Sequence, residues 1–330
     1  MTDLTTRYLG LTLKSPIIAG SSGLTKSIDN LQKLEQHGAG AVVLKSLFEE
    51  QIHFESQKQI RESDSYTGYG SAEAFDLISN YAREHHLSEY LDLIREAKQK
   101  LFIPVIASIN CYSASEWTSF ARRIEEAGAD ALELNVFVLP VNANMSGDEY
   151  KAIYLNIIKK VKATTRLPIA LKIGSYFTDM AHWVTALSWS GIQGVVLFNR
   201  FFMPDIDIQK MKLTGGGRFS HSEEFHNSMR WIGILSGSVQ CDLCASTGIH
   251  NGEAAVKQLL SGAKAIQMTS ALYQNGLGEI EKANVFLGAW MKKNGFQKLS
   301  DFVGKLSMSK VDDPAVYSRV QFMKYFAGIE

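Results

Sequence analysis

The chain has 330 residues, of which 45% are hydrophobic and 21% charged, a composition that excludes collagen-like, coiled-coil and disordered architectures. Its 34 Lys and Arg residues equal its 34 Asp and Glu residues, so the basic excess typical of nucleic-acid-binding proteins is missing. Three cysteines and the lack of any apolar stretch of about 20 residues predict a cytoplasmic protein that acts on a small molecule, without nucleic acid or membrane.

Eight short apolar runs along the chain are predicted strands. In four of them a glycine ends a helix-like segment, and small residues lead into the run, as at 38–44, 128–134, 191–197 and 262–268. Three others open with proline, which a strand tolerates at its first residue, at 16–19, 104–107 and 168–171. The eighth covers 241–246. Runs this apolar are typical of parallel strands buried on both faces.

Eight strands that alternate with helices predict a (β/α)₈ TIM barrel. The alternative is a doubly wound open sheet, but no G-x-G-x-x-G fingerprint follows the first strand. We therefore predict one barrel domain over 1–330. Uneven spacing of the repeated glycines assigns the extra length to an inserted lid or substrate loop at 46–100, after the second strand. A helical C-terminal extension is predicted at 278–330.

Polar residues follow each predicted strand, at the rim where barrel enzymes place their active sites. Thr247-Gly248 and Thr269-Ser270 follow the last two strands, near helix starts whose free N–H groups bind anions. This arrangement favours a phosphate-bearing ligand. The other candidate residues at strand ends are Gly20, Lys45, Ser46, Asn110, Asn135, Lys172, Asn199 and Arg200.

These segments, in this order, resemble the dihydroorotate dehydrogenase family of FMN-containing barrels, particularly the forms without a membrane-binding extension. The resemblance covers almost the whole chain. It is carried by residues 9–20, 40–46, 129–135, 168–172, 247–249 and 267–272.

The resemblance implies an oxidoreductase that oxidises dihydroorotate to orotate, in pyrimidine biosynthesis, by hydride transfer to FMN. It implies a homodimer, and it leaves the electron acceptor unidentified. Lys172 and Asn135 would be catalytic. FMN would be bound by Ala19, Gly20, Lys45, Ser46, Asn110, Asn135, Lys172, Thr247, Gly248, Thr269 and Ser270, and substrate by Asn135, Asn199 and Arg200.

One segment departs from the family pattern. The family has Asn-x-Ser-Cys-Pro-Asn after the fourth strand, or serine in place of the cysteine, and that thiol or hydroxyl removes the substrate proton. Here Val138 occupies the position of the base, or Leu139 does after a one-residue shift. Neither side chain accepts a proton. The base is therefore unknown, and Cys111, Tyr176 and Ser113 are the candidate replacements.

Three alternatives follow from this departure. The protein is a divergent flavoprotein whose Arg200 binds another anionic substrate, or a non-redox phosphate-binding barrel in which Lys172 forms a Schiff base. The third is a flavin-binding protein that has lost catalysis and acts through a partner. No metal site is predicted. Cys241 and Cys244, three apart on a strand, point to opposite faces, and the histidines, including His85, His86 and His221, lack ligand spacing.

Overall fold

A computed structural model describes residues 2–50, 72–111 and 114–319 of the chain. Eight parallel strands close into a barrel, with helices in the connections between them. The barrel closes where the first of these strands pairs with the last, Ile17 lying beside Ile266 and Ala19 beside Met268. The predicted (β/α)₈ TIM barrel is therefore confirmed, and the open sheet is excluded.

All eight predicted strands are found. The strands, in chain order, are β1 (Thr6–Tyr8), β2 (Leu11–Leu13), β3 (Ile17–Ala19), β4 (Ala41–Val43), β5 (Leu47–Phe48), β6 (Val105–Asn110), β7 (Ala131–Asn135), β8 (Ile169–Ile173), β9 (Gly194–Leu197), β10 (Pro204–Asp207), β11 (Lys212–Gly215), β12 (Asp242–Ala245) and β13 (Ala265–Met268). The barrel strands are β3, β4, β6, β7, β8, β9, β12 and β13, and β5 extends the sheet beside β6.

The helices pack outside this barrel. They are α1 (Ile28–Gln36), α2 (Ala72–Lys100), α3 (Ala114–Glu126), α4 (Gly147–Lys162), α5 (Met180–Ser188), α6 (Phe225–Leu235), α7 (Gly252–Ser261), α8 (Ser270–Asn275), α9 (Glu279–Lys293) and α10 (Ala315–Ser318). None of the helices in the described ranges is both long and apolar enough to span a membrane.

Side chains alternate between two cores along each barrel strand, as the pleat of a strand requires. Leu132 and Leu134 face the helices, whereas Ala131 faces the barrel interior. The interior side chains near the amino-terminal end of the barrel are apolar. Glu133 points into the interior, as Ala131 does, and is buried although its side chain is ionisable.

The β1–β2 hairpin covers the amino-terminal end of the barrel. Tyr8 and Leu9 are each 1% exposed and pack with the interior apolar side chains. The Leu9 N–H donates to Asp242 Oδ2 at 2.9 Å, which fixes the hairpin to β12. Space beneath the hairpin is narrow, because a Cβ on Gly194 would lie 2.6 Å from Leu9 Cδ2. The opposite end of the barrel, where the strands finish, is therefore the end available for a site.

The two predicted additions to the barrel are only partly described. The 46–100 segment contains β5 and α2, while residues 51–71 lie outside the described residues, so the lid remains a prediction. After residue 278 the chain forms α9, helical turns and the short α10, and residues 320–330 lie outside the described part.

Gly40 makes a close backbone approach that can be tested. It is buried before β4, its N–H donates to Ile17 O at 2.7 Å, and a Cβ there would lie 1.9 Å from Ser15 O. Because both groups are main chain, we expect Gly40→Ala to lower the free energy of unfolding by about 1–3 kcal/mol, measured by urea denaturation.

Gly147→Ala is the matched control for this substitution. Gly147 begins α4, and no heavy atom lies within 4 Å of the position that its Cβ would take. We expect the control to change stability by about 0.5 kcal/mol or less. Equal losses in the two variants would contradict the steric argument.

Candidate functional site

The carboxyl ends of the barrel strands surround a cavity of about 620 Å³. That volume is within the range of small-molecule sites, roughly 300–1,000 Å³. The predicted site residues that line it are Lys172, Asn199, Arg200, Thr247, Gly248, Thr269 and Ser270. Strands β8, β9, β12 and β13 thus bring together side chains that are about 100 residues apart in the sequence.

Lys172 is held by two buried side chains that the sequence did not single out. Its Nζ donates to Gln267 Oε1 at 2.7 Å, and Gln267 Nε2 donates to Glu133 Oε2 at 2.5 Å. The other carboxylate oxygen, Glu133 Oε1, lies 3.8 Å from Lys172 Nζ. Lys172 is 7% exposed, and the other two residues are exposed by 2% or less. The site therefore contains one fixed buried ammonium group.

The predicted amide residues form one hydrogen-bonded group beside this lysine. Asn135 pairs with Lys172 in the β7–β8 register. Asn199 Nδ2 donates to Asn135 Oδ1 at 2.8 Å, and Asn110 Nδ2 donates to Asn135 O at 2.8 Å. Among the described residues Asn199 makes no other side-chain hydrogen bond, so both lone pairs of its Oδ1 and one N–H remain for a ligand. These amides can orient a flat polar ring.

A chain of hydroxyl groups connects β3, β4 and β6, which are the first three barrel strands. Ser46 Oγ lies 3.1 Å from Ser21 Oγ and 2.7 Å from Ser108 Oγ. The Ser46 N–H donates to Ser21 Oγ at 2.9 Å. Ser21 lines the cavity, so Ser46 connects to it through one hydrogen bond. The neighbouring predicted residues are placed at the same rim, Ala19 ending β3 and Lys45 following β4, where it is half-buried.

One wall of the cavity was missed by the sequence analysis. It is formed by the loop after β11, where Gly216, Gly217, Arg218 and Ser220 line the cavity. Within the described part of the chain, the main-chain N–H groups of Gly217 and Arg218 make no hydrogen bond. The run of three glycines at 215–217 was the available signal, because glycines allow a backbone to approach a ligand closely.

Three aromatic side chains form a cluster at the ends of β7, β8 and β9. The ring of Phe201 lies 4.0 Å from that of Phe137 and 4.4 Å from that of Tyr176, between centroids. Phe201 also packs on Gly174, where a Cβ would lie 2.6 Å from Phe201 Cζ. This aromatic cluster gives part of the rim an apolar character.

The sequence model of a known family, described as Dihydroorotate dehydrogenase, matches residues 3–287 of this chain. The chain belongs to the dihydroorotate dehydrogenase family. The catalytic subunit of dihydroorotate dehydrogenase B (NAD(+)) from Thermoplasma volcanium is 25% identical, over 92% of this chain and 98% of that protein. The corresponding subunit from Pyrococcus abyssi is 26% identical, over 91% and 98%. Dihydroorotate dehydrogenase A (fumarate) from Lactobacillus delbrueckii is 25% identical, over 91% and 97%.

The loop after β7 is where this member of the dihydroorotate dehydrogenase family departs from the implied pattern. Val138 packs partly buried against the outer core, and its N–H donates to Tyr154 Oη at 3.3 Å. Leu139 is 43% exposed. The Asn142 N–H donates to Tyr150 Oη at 2.9 Å, so that two tyrosines of α4 hold the loop. Of the two positions, Leu139 is the one whose side chain faces away from the core.

Cys111 is a poor replacement for the missing base. It is 8% exposed, and burial, followed by the charges of Glu49 and Glu116, raises the pKa of its thiol well above the usual value. Thiolate is scarce at neutral pH under these conditions. Ser113 lies outside the described residues, and Tyr176 is an exposed member of the aromatic cluster.

We expect Cys111 to react slowly with iodoacetamide at pH 7.5 in the folded protein and rapidly in urea. Because the thiol must lose its proton to react, a raised pKa slows alkylation in proportion to the lost thiolate. Peptide mass spectrometry measures the modified fraction at each cysteine. A folded-state rate for Cys111 equal to that in urea would restore it as a candidate base.

Arg200 is placed in the cavity but is already engaged. Its Nε donates to Glu224 Oε2 at 3.3 Å, and its Nη1 donates to Gly217 O at 2.9 Å. A guanidinium group has five N–H donors, so three remain. Among the described residues Arg218, also in the cavity wall, makes no ion pair.

Cys241, directly before β12, and Cys244, on β12, have the predicted orientation. Cys244 packs in the barrel interior, whereas Cys241 packs against the outer core, so the two thiols lie on opposite faces. No group of three or more His, Cys, Asp or Glu side chains suited to a metal occurs in the described ranges.

Proposed function

We propose that this chain is an FMN-dependent oxidoreductase that oxidises dihydroorotate to orotate, a step of pyrimidine biosynthesis. The observation that carries the proposal is the fixed ammonium of Lys172 in the wall of the cavity. A buried cation stabilises negative charge that develops on a neighbouring ring. An amine that donates to Gln267 near the Glu133 carboxylate is placed as a cation, which favours this role over Schiff-base chemistry.

The residues of the cavity fit FMN. At one end, the N–H groups of Gly217 and Arg218, which have no partner among the described residues, join the hydroxyls of Thr269 and Ser270, a donor set suited to a phosphate dianion. Gly248 leaves no room for a side chain there, because a Cβ would lie 2.2 Å from Phe225 N. FMN would supply the acceptor for two electrons and one proton, transferred as hydride.

The residues proposed to hold the cofactor divide between its two ends. Thr247, Gly248, Thr269 and Ser270 would bind the phosphate, together with the main chain of Gly217 and Arg218. The flavin ring and its chain would be bound by Ala19, Gly20, Lys45, Ser46, Asn110, Asn135 and Lys172. Asn135 and Asn199 would orient the substrate through neutral amide hydrogen bonds. No side chain at 138 or 139 can accept the substrate proton, so the base is unassigned and the reaction is expected to be slow.

The proposal is tested with purified protein reconstituted with FMN. Anaerobic mixing with dihydroorotate is expected to bleach the visible absorption of the flavin. A protein that takes up no FMN would refute the cofactor assignment. If FMN binds and dihydroorotate leaves its absorption unchanged, the substrate assignment fails.

A second candidate is a flavoprotein that acts on another anionic substrate. The observations that favour it are the lack of a base at Val138 and Leu139 and the free donors of Arg200. Arg200→Ala is then expected to weaken binding of the anion about 10-fold or more, the effect of losing charged hydrogen bonds. Arg122→Ala, on the outer helix α3, is the control. Unchanged binding of every anionic candidate would exclude this role of Arg200.

We also propose a homodimer formed through the β10–β11 hairpin. Ile206 and Leu213 pair across the hairpin on one face and are 62% and 81% exposed. Ile208 and Met211 extend this apolar face towards the turn. A two-fold axis would place the same face of a second copy against it. Light scattering is expected to give a dimer for the wild type and a monomer for Ile206→Ser/Leu213→Ser, and a wild-type monomer would refute this.

A further inference from the structure

Three side chains, from the neighbouring strands β7 and β8 and from β13 opposite them, form a continuous polar contact across the barrel interior. Lys172 on β8 and Gln267 on β13 line the cavity, whereas Glu133 on β7 lies behind them. Strands β7 and β13 are four positions apart around the eight-stranded barrel, so the contact spans its full width. The glutamine amide lies between the two charges.

Glu133 is difficult to explain as a packing residue. It is 1% exposed, and within the described residues its Oε1 has no hydrogen-bond partner. Its neighbours in register are small, Ser108 on one side and Ala170 on the other. Burying a carboxylate without full compensation costs several kcal/mol. A residue with a cost of this kind, directly behind two residues that line the cavity, indicates a role in the chemistry of the site.

The direction of the Gln267 amide follows from its two neighbours. A lysine ammonium only donates, and a carboxylate only accepts, so the amide must turn its oxygen to Lys172 and its NH₂ to Glu133. Glu133 therefore fixes the amide, and the amide oxygen fixes Lys172 Nζ at 2.7 Å. The position of the ammonium is set by a residue that does not itself line the cavity.

The net charge of the barrel interior depends on the Glu133 carboxylate. Tyr8, Tyr90 and Cys244 are titratable groups near it, and burial raises the pKa of all three well above their usual values. All three are therefore neutral at physiological pH. Asp242, which accepts the Leu9 N–H, and Lys45 and Arg200, at the rim, are charged groups on other elements of the barrel. Among the described residues, Glu133 is the carboxylate that pairs with Lys172 and offsets its charge.

We propose that Glu133 and Gln267 are positioning residues that fix the Lys172 ammonium and set how much of its positive charge reaches the bound ring. Gln267 holds the ammonium away from Glu133, towards the cavity. Glu133 reduces the field that the ammonium produces there. This proposal rests on the proposed FMN site, and it assigns the two residues opposite effects on the flavin.

Sulfite is the probe that separates these effects, because its sulfur lone pair forms a bond to the oxidised flavin ring and places negative charge there. Glu133→Gln keeps the hydrogen bond from residue 267 and removes the opposing charge, so the sulfite Kd is expected to fall about tenfold. Gln267→Met removes the acceptor and lets the ammonium move to Glu133, so the Kd is expected to rise about tenfold. Titration of the visible absorption measures both.

Opposite shifts support the proposal, and shifts in the same direction, or of less than about threefold, would overturn it. A residue with only a structural role would weaken FMN binding in both variants. Lys172→Met supplies the control, because Gln267→Met added to it is expected to cause no further change in the Kd. A further effect in that background would show that Gln267 does not act through Lys172.

Failure of the FMN assignment is distinguishable from failure of this proposal. If the wild type binds no FMN, crystal structures of the flavin-free variants provide the test. Lys172 Nζ is expected on Gln267 Oε1 in the wild type and in direct contact with Glu133 in Gln267→Met. An unmoved lysine would refute the positioning role whether or not the protein binds flavin.

Discussion

Substituting Lys172 by methionine is expected to slow reduction of the bound flavin by dihydroorotate about 10²–10³-fold, the loss typical of removing one group that stabilises developing charge. Methionine keeps a comparable length and removes the charge. The rate constant is measured by anaerobic stopped-flow absorption at saturating substrate. Lys159→Met, on the exposed side of α4, is the control and is expected to leave the rate constant unchanged.

Loss of stability must be separated from loss of chemistry in this variant. Without Lys172, the buried Glu133 carboxylate has no counter-charge, which is expected to lower the free energy of unfolding by about 3–5 kcal/mol. The double variant Lys172→Met/Glu133→Gln removes both charges, so we expect it to regain most of the stability but none of the rate. Recovery of the rate together with the stability would contradict a catalytic role of Lys172.

Leu139→Cys is expected to accelerate the same reaction about tenfold or more. A well-placed base supplies about 10²–10⁴-fold, so this gain is a part of the full effect. Leu139 is exposed at the loop after β7, and the substitution supplies the thiol that the family resemblance implies. The rate is expected to increase with pH as the thiol loses its proton, near the ordinary cysteine pKa of about 8.5. Stopped-flow reduction at several pH values measures this.

Val138→Cys is the comparison variant for this gain. Its side chain packs against the outer core and its N–H is held by Tyr154, so we expect little or no acceleration from it. A larger gain at 138 than at 139 would show that the direct alignment with the family is the right one. No gain at either position would indicate that the substrate proton leaves elsewhere, which favours the second candidate function.

The positions of the strands and the site rim were predictable from the sequence, for a physical reason. A strand buried on both faces is largely apolar, so a polar residue near its carboxyl end, such as Lys172 or Asn135, is expected at the rim. Contacts across the barrel were not predictable, because they depend on the stagger of distant strands. The contacts of Glu133 and Gln267 with Lys172 therefore could not be predicted from the sequence.

The β10–β11 wall was missed for a different reason. Its side chains are largely exposed, and in a sequence without an apolar period such a segment resembles a loop. Gly216 and Arg218 then have no predicted strand end to place them at the rim. Exposed structure that contributes to a site leaves little hydrophobic pattern to detect.

The pairing of β3 with β13 joins residues 17–19 to residues 266–268, and it affects how the chain folds while it is being translated. During translation the amino-terminal strand emerges early and must wait, with an unpaired edge, until nearly the whole barrel has left the ribosome. The barrel therefore cannot close during most of the synthesis of the chain. An unpaired edge of this kind can pair with the strands of other chains, so aggregation of the nascent chain competes with closure of the barrel.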